Sequence, residues 1–309
     1  MADASIENAG LLIVDKTPGI TSHDVVARCR KIFNTRRVGH AGTLDPMATG
    51  VLVVGIERAT KLLGLLSLTT KSYTATIRLG AATDTDDREG QIISRGPVEA
   101  ITDEAIDVAV AELTGDIQQV PAKVSAIKVD GRRAHALVRT GADFDLEARP
   151  VTVSRFEIRD RRRVDVAADD ADPGGTFLDL DVEVDCSAGT YIRSLARDLG
   201  AALGAGGHLT ALRRTAVGPF TLEHSRTLDD LAENPRLSLT IDEAALLSFP
   251  RRDIDDDEAE SISQGRWLRP IGLTGIHVAV DPSGQAIALI EEKGRRASSV
   301  MVVRPATLR

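Results

Sequence analysis

The sequence predicts an α+β fold with a mainly antiparallel sheet, followed by a small β-rich tail. Three observations carry this expectation. Short apolar or alternating runs are separated by Pro, Gly and Asp; stretches readable as helices lie between them, one with a capping-box-like start; and three short apolar runs crowd together after residue 275. The chain has 309 residues, 42% hydrophobic and 27% charged. That is enough for one large domain and a small one, in a composition ordinary for a folded protein.

Each element has a local cause. Leu11–Val14 is an apolar run expected as a buried strand, and it stops at Thr17-Pro18-Gly19, where Pro-Gly marks a turn. Thr21 and Asp24 make a capping-box-like start for a helix reaching Phe33. Val25, Val26, Cys29, Ile32 and Phe33 fall on one face of it, with basic residues largely on the other. Residues 34–50 read as a glycine-containing loop, 51–56 as a strand and 57–66 as a helix. Tyr73–Leu79 alternates as a strand, the acidic, threonine-rich stretch 83–90 is a loop, and Thr102–Leu113 is a helix ended by Gly115. Val124–Val129 runs into an Asp130-Gly131 hairpin turn. Strands are expected at 151–158 and 177–184, around an Asp/Pro/Gly-rich excursion at 165–175. A helix follows over 190–203, then short helices at 228–231 and 242–247. A composition shift at 251–260 opens the tail, whose strands lie at 277–280, 286–290 and 299–303.

Composition narrows the function. The opening residues lack a basic n-region, so they do not read as a signal peptide, and no apolar run is long enough to span a bilayer. Cys29 and Cys186 stand far apart with no His cluster, which predicts reduced thiols in a cytoplasmic protein rather than a zinc site. A net charge of −8 argues against a nucleic-acid partner, but the charges are segregated. Arg28, Arg30, Lys31, Arg36 and Arg37 lie in a stretch without acids; Arg132, Arg133 and Arg139 form a second group, and Arg161–Arg163 a third. Acids gather at 84–89, 165–172 and 253–260. Phosphate binding depends on local field, so such a protein can carry a basic face. For any single cluster the plainer reading is a solvated surface.

The chemistry-bearing window is Gly39-His40-Ala41-Gly42-Thr43-Leu44-Asp45-Pro46-Met47-Ala48-Thr49-Gly50. Asp45 is its only acid, and Pro46 biases it toward extended backbone. The glycines let another backbone come close. Taken alone, Asp-Pro reads as a turn initiator. The window lacks the Gly-Lys-Ser/Thr ending of a phosphate loop.

The window nevertheless resembles the catalytic loop of the bacterial tRNA pseudouridine synthase B family, which modifies uridine 55 in the tRNA T-loop. Further matches lie in the same order: LLIVDKTPGITSHDVV before it, then KSYTATIRLGAATDTDDREG, VPAKVSAIKVDGRR, CSAGTYIRSLARDLG and LTALRRT. The resemblance covers roughly residues 10–225. It implies a pseudouridine-synthase-like catalytic domain over 1–250 with an RNA-gripping insertion at 121–150, and a reduced PUA-like RNA-binding domain over 251–309. It also implies a single chain acting on tRNA, as a monomer, with no obligatory protein partner and no membrane.

The implied reaction breaks the N1–C1′ bond of a uridine, turns the uracil and joins C5 to C1′. Redox state is unchanged, so neither cofactor nor metal is expected. The family's nucleophile maps onto Asp45; attack at C1′, attack at uracil C6 and assistance to a glycal all stay open. Tyr73 matches the tyrosine that stacks on the everted base, and Arg193 the arginine that pairs with the catalytic carboxylate. Tyr191 lines the same pocket and His40 fills the space the flipped bases leave. Lys16 and Pro18 brace the site, Leu212 forms a pocket wall, and Arg213, Arg214, Arg132, Arg133 and Arg139 contact RNA. His135 stands where the family carries an aromatic. Two rival readings are an RNA chaperone of the same fold without turnover and an Asp-nucleophile hydrolase acting on a small glycoside or ester.

Overall fold

In the computed structural model, Leu11, Leu12, Ile13 and Val14 have no exposed surface and form the middle of the strand Gly10–Lys16. The structure describes residues 6–123, 128–129, 132–133, 144, 146–168 and 174–308. Two units divide the chain: Met1–Leu68 with Ala216–Arg309, and Thr69–Thr215.

In the first unit, Gly10–Lys16 pairs antiparallel with Thr49–Ile56 on one side and with Leu239–Thr240 on the other. Val38–Ala41 also pairs antiparallel with Thr49–Ile56. Side chains alternate across a strand, so Leu11, Ile13, Val51 and Val53 share one face. That face packs with Leu62, Phe220 and Ile241 and with Val278, Val280, Leu289 and Val303 of the tail. The helix Ser22–Ile32 carries the expected capping box between Thr21 and Asp24 and buries Val25, Val26 and Cys29. It stops one residue early, at Ile32, with Phe33 as C-cap. Arg28, Arg30, Lys31, Arg36 and Arg37 are exposed, as the amphipathic pattern requires. Residues expected as one helix after Ile56 are a 3-10 turn, Glu57–Leu62, followed by the short helix Leu63–Leu66.

The β-rich tail forms a four-stranded sheet in the order Arg251–Asp253, Ile276–Val280, Ala286–Lys293, Arg296–Val302. Both of its faces are covered. Val278, Val280 and Leu289 join the core shared with Leu11 and Ile13, while Ala279, Ala288 and Ile290 pack with Ala259 and Ile262. Those last two belong to the helix Asp256–Ser263, which the acidic run at 253–260 concealed. Asp255 and Glu258 close its capping box, and Asp256 and Asp257 sit in its first turn, where the helix dipole favours negative charge.

In the second unit the strand order is Gly207–Val217, Lys71–Leu79, Gly175–Cys186, Arg149–Val166, Gly115–Gln119. The last three pairings are antiparallel, with Tyr73 opposite Val184 and Gln119 opposite Arg149. The hairpin Arg149–Val166/Gly175–Cys186 runs well past the expected strand ends, because its outer half is charged rather than apolar. Arg155 pairs with Asp185 and Glu183, Arg159 with Glu183, and Arg162 with Asp181. The third basic group is thereby absorbed: Arg161 meets Asp103 and Asp107, and Arg163 donates to the carbonyls of Val98 and Glu99. Lys128–Val129 pairs antiparallel with Arg132–Arg133. His135 and Arg139 lie outside the described residues, as do 169–173 of the acidic excursion.

The mixed, mainly antiparallel α+β class and the β-rich tail are as expected. No helix among the described residues is long and apolar enough to cross a membrane.

One close approach in the second unit tests the packing. Gly200, in the helix Ile192–Ala202, faces the start of Gly207–Val217, and a Cβ on it would lie 2.2 Å from the Gly207 nitrogen. Backbone cannot yield as a side chain does. Gly200→Ala is expected to destabilise the protein by about 1–3 kcal/mol, read as a lower urea midpoint with unchanged slope.

Candidate active site

Asp45 lies between the strands Val38–Ala41 and Thr49–Ile56, on backbone that is neither helix nor strand. Gly42 and Gly50, at φ 77° and 97°, make the bends that L side chains resist. The expected Asp-Pro turn exists: Ala48 N donates to Asp45 O at 3.1 Å. Around this turn, buried polar groups grip backbone. Lys16 has no exposed surface, and its Nζ donates to Ala48 O at 2.6 Å and to Thr17 O and Pro46 O at 3.1 Å each. Gly19 N donates to Pro46 O at 2.9 Å. Ser22 Oγ accepts from Leu44 N at 2.9 Å and donates to Leu44 O at 3.2 Å. The chain is thus held immediately before and immediately after Asp45, while Asp45 itself is half-buried. Its carboxylate stands on a fixed loop and is not sunk in the hydrophobic interior.

His40 is half-buried opposite Val54, and its ring meets that of His23 edge-on at 5.5 Å. Pro18 is exposed in the turn after Lys16, so of the two bracing candidates it is Lys16 that grips the Asp45 loop.

The second unit holds the other candidates. Tyr73 is 7% exposed on Lys71–Leu79, and Leu212 is 7% exposed on Gly207–Val217. Arg213 is half-buried and Arg214 fully buried. Lys71, on the same face of its strand as Tyr73, is pushed down to about 8, first by burial and then by the nearby Arg214 charge. Tyr191 is the N-cap of the helix Ile192–Ala202.

Arg193 is 3% exposed. Its Nη1 donates to Thr85 O at 2.8 Å and lies 3.6 Å from the Asp87 carboxylate. Asp87 is buried and oriented in turn: it accepts from Thr85 Oγ1 at 2.7 Å and from Glu89 N at 3.0 Å. One helical turn further, Arg197 lies 3.3 Å from Asp86, whose carboxyl is raised above its ordinary range chiefly by burial.

Sequence reasoning placed 83–90 as a plain acidic loop and missed Asp86 and Asp87. The available signal was two adjacent acids facing two arginines spaced four apart on a helix. It also missed Gln119, whose side chain bonds both peptide groups of Tyr191. Arg132 and Arg133 lie on paired backbone, Lys128 opposite Arg133.

Comparison with known proteins identifies the family. The model of the TruB family pseudouridylate synthase N-terminal domain matches residues 30–192. The chain belongs to that family. Two further TruB-type models follow, the tRNA pseudouridylate synthase B C-terminal domain at 193–248 and the tRNA pseudouridine synthase II C-terminal region at 249–304. A tRNA pseudouridine synthase B of Rhodococcus jostii is 67% identical over 99% of this chain and 97% of its own length. One of Nocardia farcinica is 65% identical over 96% and 94%. Among solved structures, a chain of a Cbf5-Nop10-Gar1 complex superposes with a TM-score of 0.71 at 26% identity, covering 98% of this chain and 87% of that one. The TruB family is a family of isomerases, and this chain carries Asp45, Tyr73 and Arg193 in the order the resemblance requires.

The two acids beside the arginines of this TruB family member should differ in weight. Asp87→Asn leaves a buried guanidinium short of its counter-charge and is expected to cost about 3–5 kcal/mol in urea unfolding. Asp86→Asn, beside the more exposed Arg197, is expected to cost about 1 kcal/mol or less.

Proposed function

We propose that the chain converts uridine 55 in the T-loop of tRNA to pseudouridine, with Asp45 as nucleophile. The observation that carries this reading is the clamp on the Asp45 loop. Lys16 and Ser22 fix the peptides on both sides of a half-buried carboxylate, the only acid of residues 39–50. Such a fixed oxygen nucleophile suits a displacement that needs positioning and no redox chemistry.

In this reading the target base leaves its stack at a cost of a few kcal/mol, and Tyr73 offsets about 1–3 kcal/mol of that by stacking. Asp45 assists cleavage of the N1–C1′ bond. The freed uracil turns, C5 bonds to C1′, the C5 proton leaves and N1 gains one, so the product is an isomer. Arg193 keeps the carboxylate ionised as it is desolvated against the base, and Tyr191 and Leu212 wall the pocket. His40 occupies the space the flipped bases vacate. The exposed basic face of Ser22–Ile32, Arg213 and the 121–150 segment with Arg132 and Arg133 grip the RNA, with the tail as a further RNA-binding element. The solved structure compared above is a chain of a Cbf5-Nop10-Gar1 complex. We propose that this one works alone in the cytoplasm, as a monomer.

Purified protein incubated with unmodified tRNA should yield pseudouridine at position 55, mapped by site-resolved sequencing. Asp45→Asn should abolish turnover while tRNA affinity stays within about threefold, and an active Asp45→Asn protein would remove the nucleophile. Tight binding with no product would favour the chaperone reading instead. Arg193→Ala should lower the single-turnover rate by at least about a hundredfold and affinity far less. Affinity should fall steeply as salt rises, which a hydrolase acting on a small glycoside would not show.

A further inference from the structure

We propose that Gln119 is a positioning residue for the Tyr191–Arg193 segment. Its side chain is 1% exposed. The amide Nε2 donates to Tyr191 O at 3.1 Å, and Oε1 accepts from Tyr191 N at 2.8 Å. A primary amide presents a donor and an acceptor side by side, so it satisfies both peptide groups of one residue as a neighbouring strand would. Tyr191 is the N-cap of Ile192–Ala202 and makes no side-chain cap hydrogen bond. The start of this helix is therefore fixed from outside, by Gln119. Arg193 follows two residues later, buried against Thr85 O and Asp87. A shift at Tyr191 carries Arg193 with it.

The place of Gln119 in the chain gives this contact a second consequence. Gln119 ends the strand Gly115–Gln119 and pairs with Arg149, the first residue of Arg149–Val166. Both ends of the 121–150 segment thus leave the sheet at this pair. The next residue, Val120, accepts through its carbonyl from Arg197 Nη2 at 2.7 Å. The helix bearing Arg193 is therefore tied to the root of that segment at two points, Tyr191 and Arg197. Gln119 acts on turnover through the placement of Tyr191 and Arg193, not by touching RNA. This inference rests on the proposed pseudouridine synthesis.

Gln119→Glu tests it. A protonated glutamic acid has the shape of glutamine and the same donor and acceptor pair; ionised, it has only acceptors and repels the Tyr191 carbonyl. Burial raises such a carboxyl's pKa. Relative to wild type at the same pH, kcat of Gln119→Glu should be down about tenfold near pH 8.5 and recover to within about threefold near pH 6. Gln119→Met, which keeps the volume and loses both hydrogen bonds, should stay about tenfold low at both pH values, with KM for tRNA within about twofold. Circular dichroism of each variant at each pH reads folding separately; if the charged variant unfolds, Gln119→Met decides. A pH-independent deficit in a folded Gln119→Glu, a wild-type kcat in Gln119→Met, or a loss confined to KM would overturn the proposal. Wild-type protein that forms no pseudouridine in the same assay would instead remove the underlying reaction.

Discussion

An ammonium group with no exposed surface persists in a protein only where nearby oxygens replace the water it has lost, because an uncompensated buried charge costs several kcal/mol. Lys16 meets that condition with the carbonyls of Thr17, Pro46 and Ala48. Two of these lie some thirty residues downstream, so the requirement to solvate one cation fixes a loop remote in sequence. The strand Gly10–Lys16 is buried at all but one position, and its last residue delivers this constraint to the turn that carries Asp45. Lys16 thus joins the buried strand to the reactive loop through electrostatics.

Charge is partitioned in a way that the net value of −8 conceals. On the long hairpin the arginines and acids neutralise one another across strands. Hydrogen bonds from Arg162 and Arg159 come first among the causes that hold the Asp181 and Glu183 carboxyls below their ordinary range. Such partly exposed pairs add little stability each; their use is to keep a long, polar hairpin in register. The Arg28–Arg37 stretch, by contrast, spreads its cations on solvent-exposed positions. A nucleic-acid partner would meet the field of that face.

Locally encoded features were legible in the sequence. The Thr21–Asp24 capping box, the apolar runs at 11–14 and 51–56 and the tail strands each follow from neighbours a few residues apart. The hidden features depend on partners far along the chain. Asp253–Glu260 looked like an acidic run because the apolar positions Ala259 and Ile262 show their purpose only against Ala279 and Ile290. Charged residues 159–166 do not announce a strand until Glu183 and Asp181 lie opposite. Nothing near Arg193 in sequence says that Asp87 will lie beside it. For the candidate site, then, the reactive residue types and the bracing Lys16 came from motif resemblance, while Ser22, Asp87 and Gln119 emerged as holding residues only with the fold.

Those holding residues share a device. Ser22 bonds both peptide groups of Leu44, Gln119 bonds both peptide groups of Tyr191, and Lys16 bonds the carbonyls that follow Asp45. In each case a buried polar side chain grips backbone at or next to a candidate functional residue. A grip on side-chain atoms would compete with substrate for the same lone pairs and protons. A grip on peptide groups does not, and it satisfies donors and acceptors that burial would otherwise strand. Where a displacement of about 1 Å can cost a hundredfold in rate, such backbone clamps are a means by which the fold reaches the proposed chemistry.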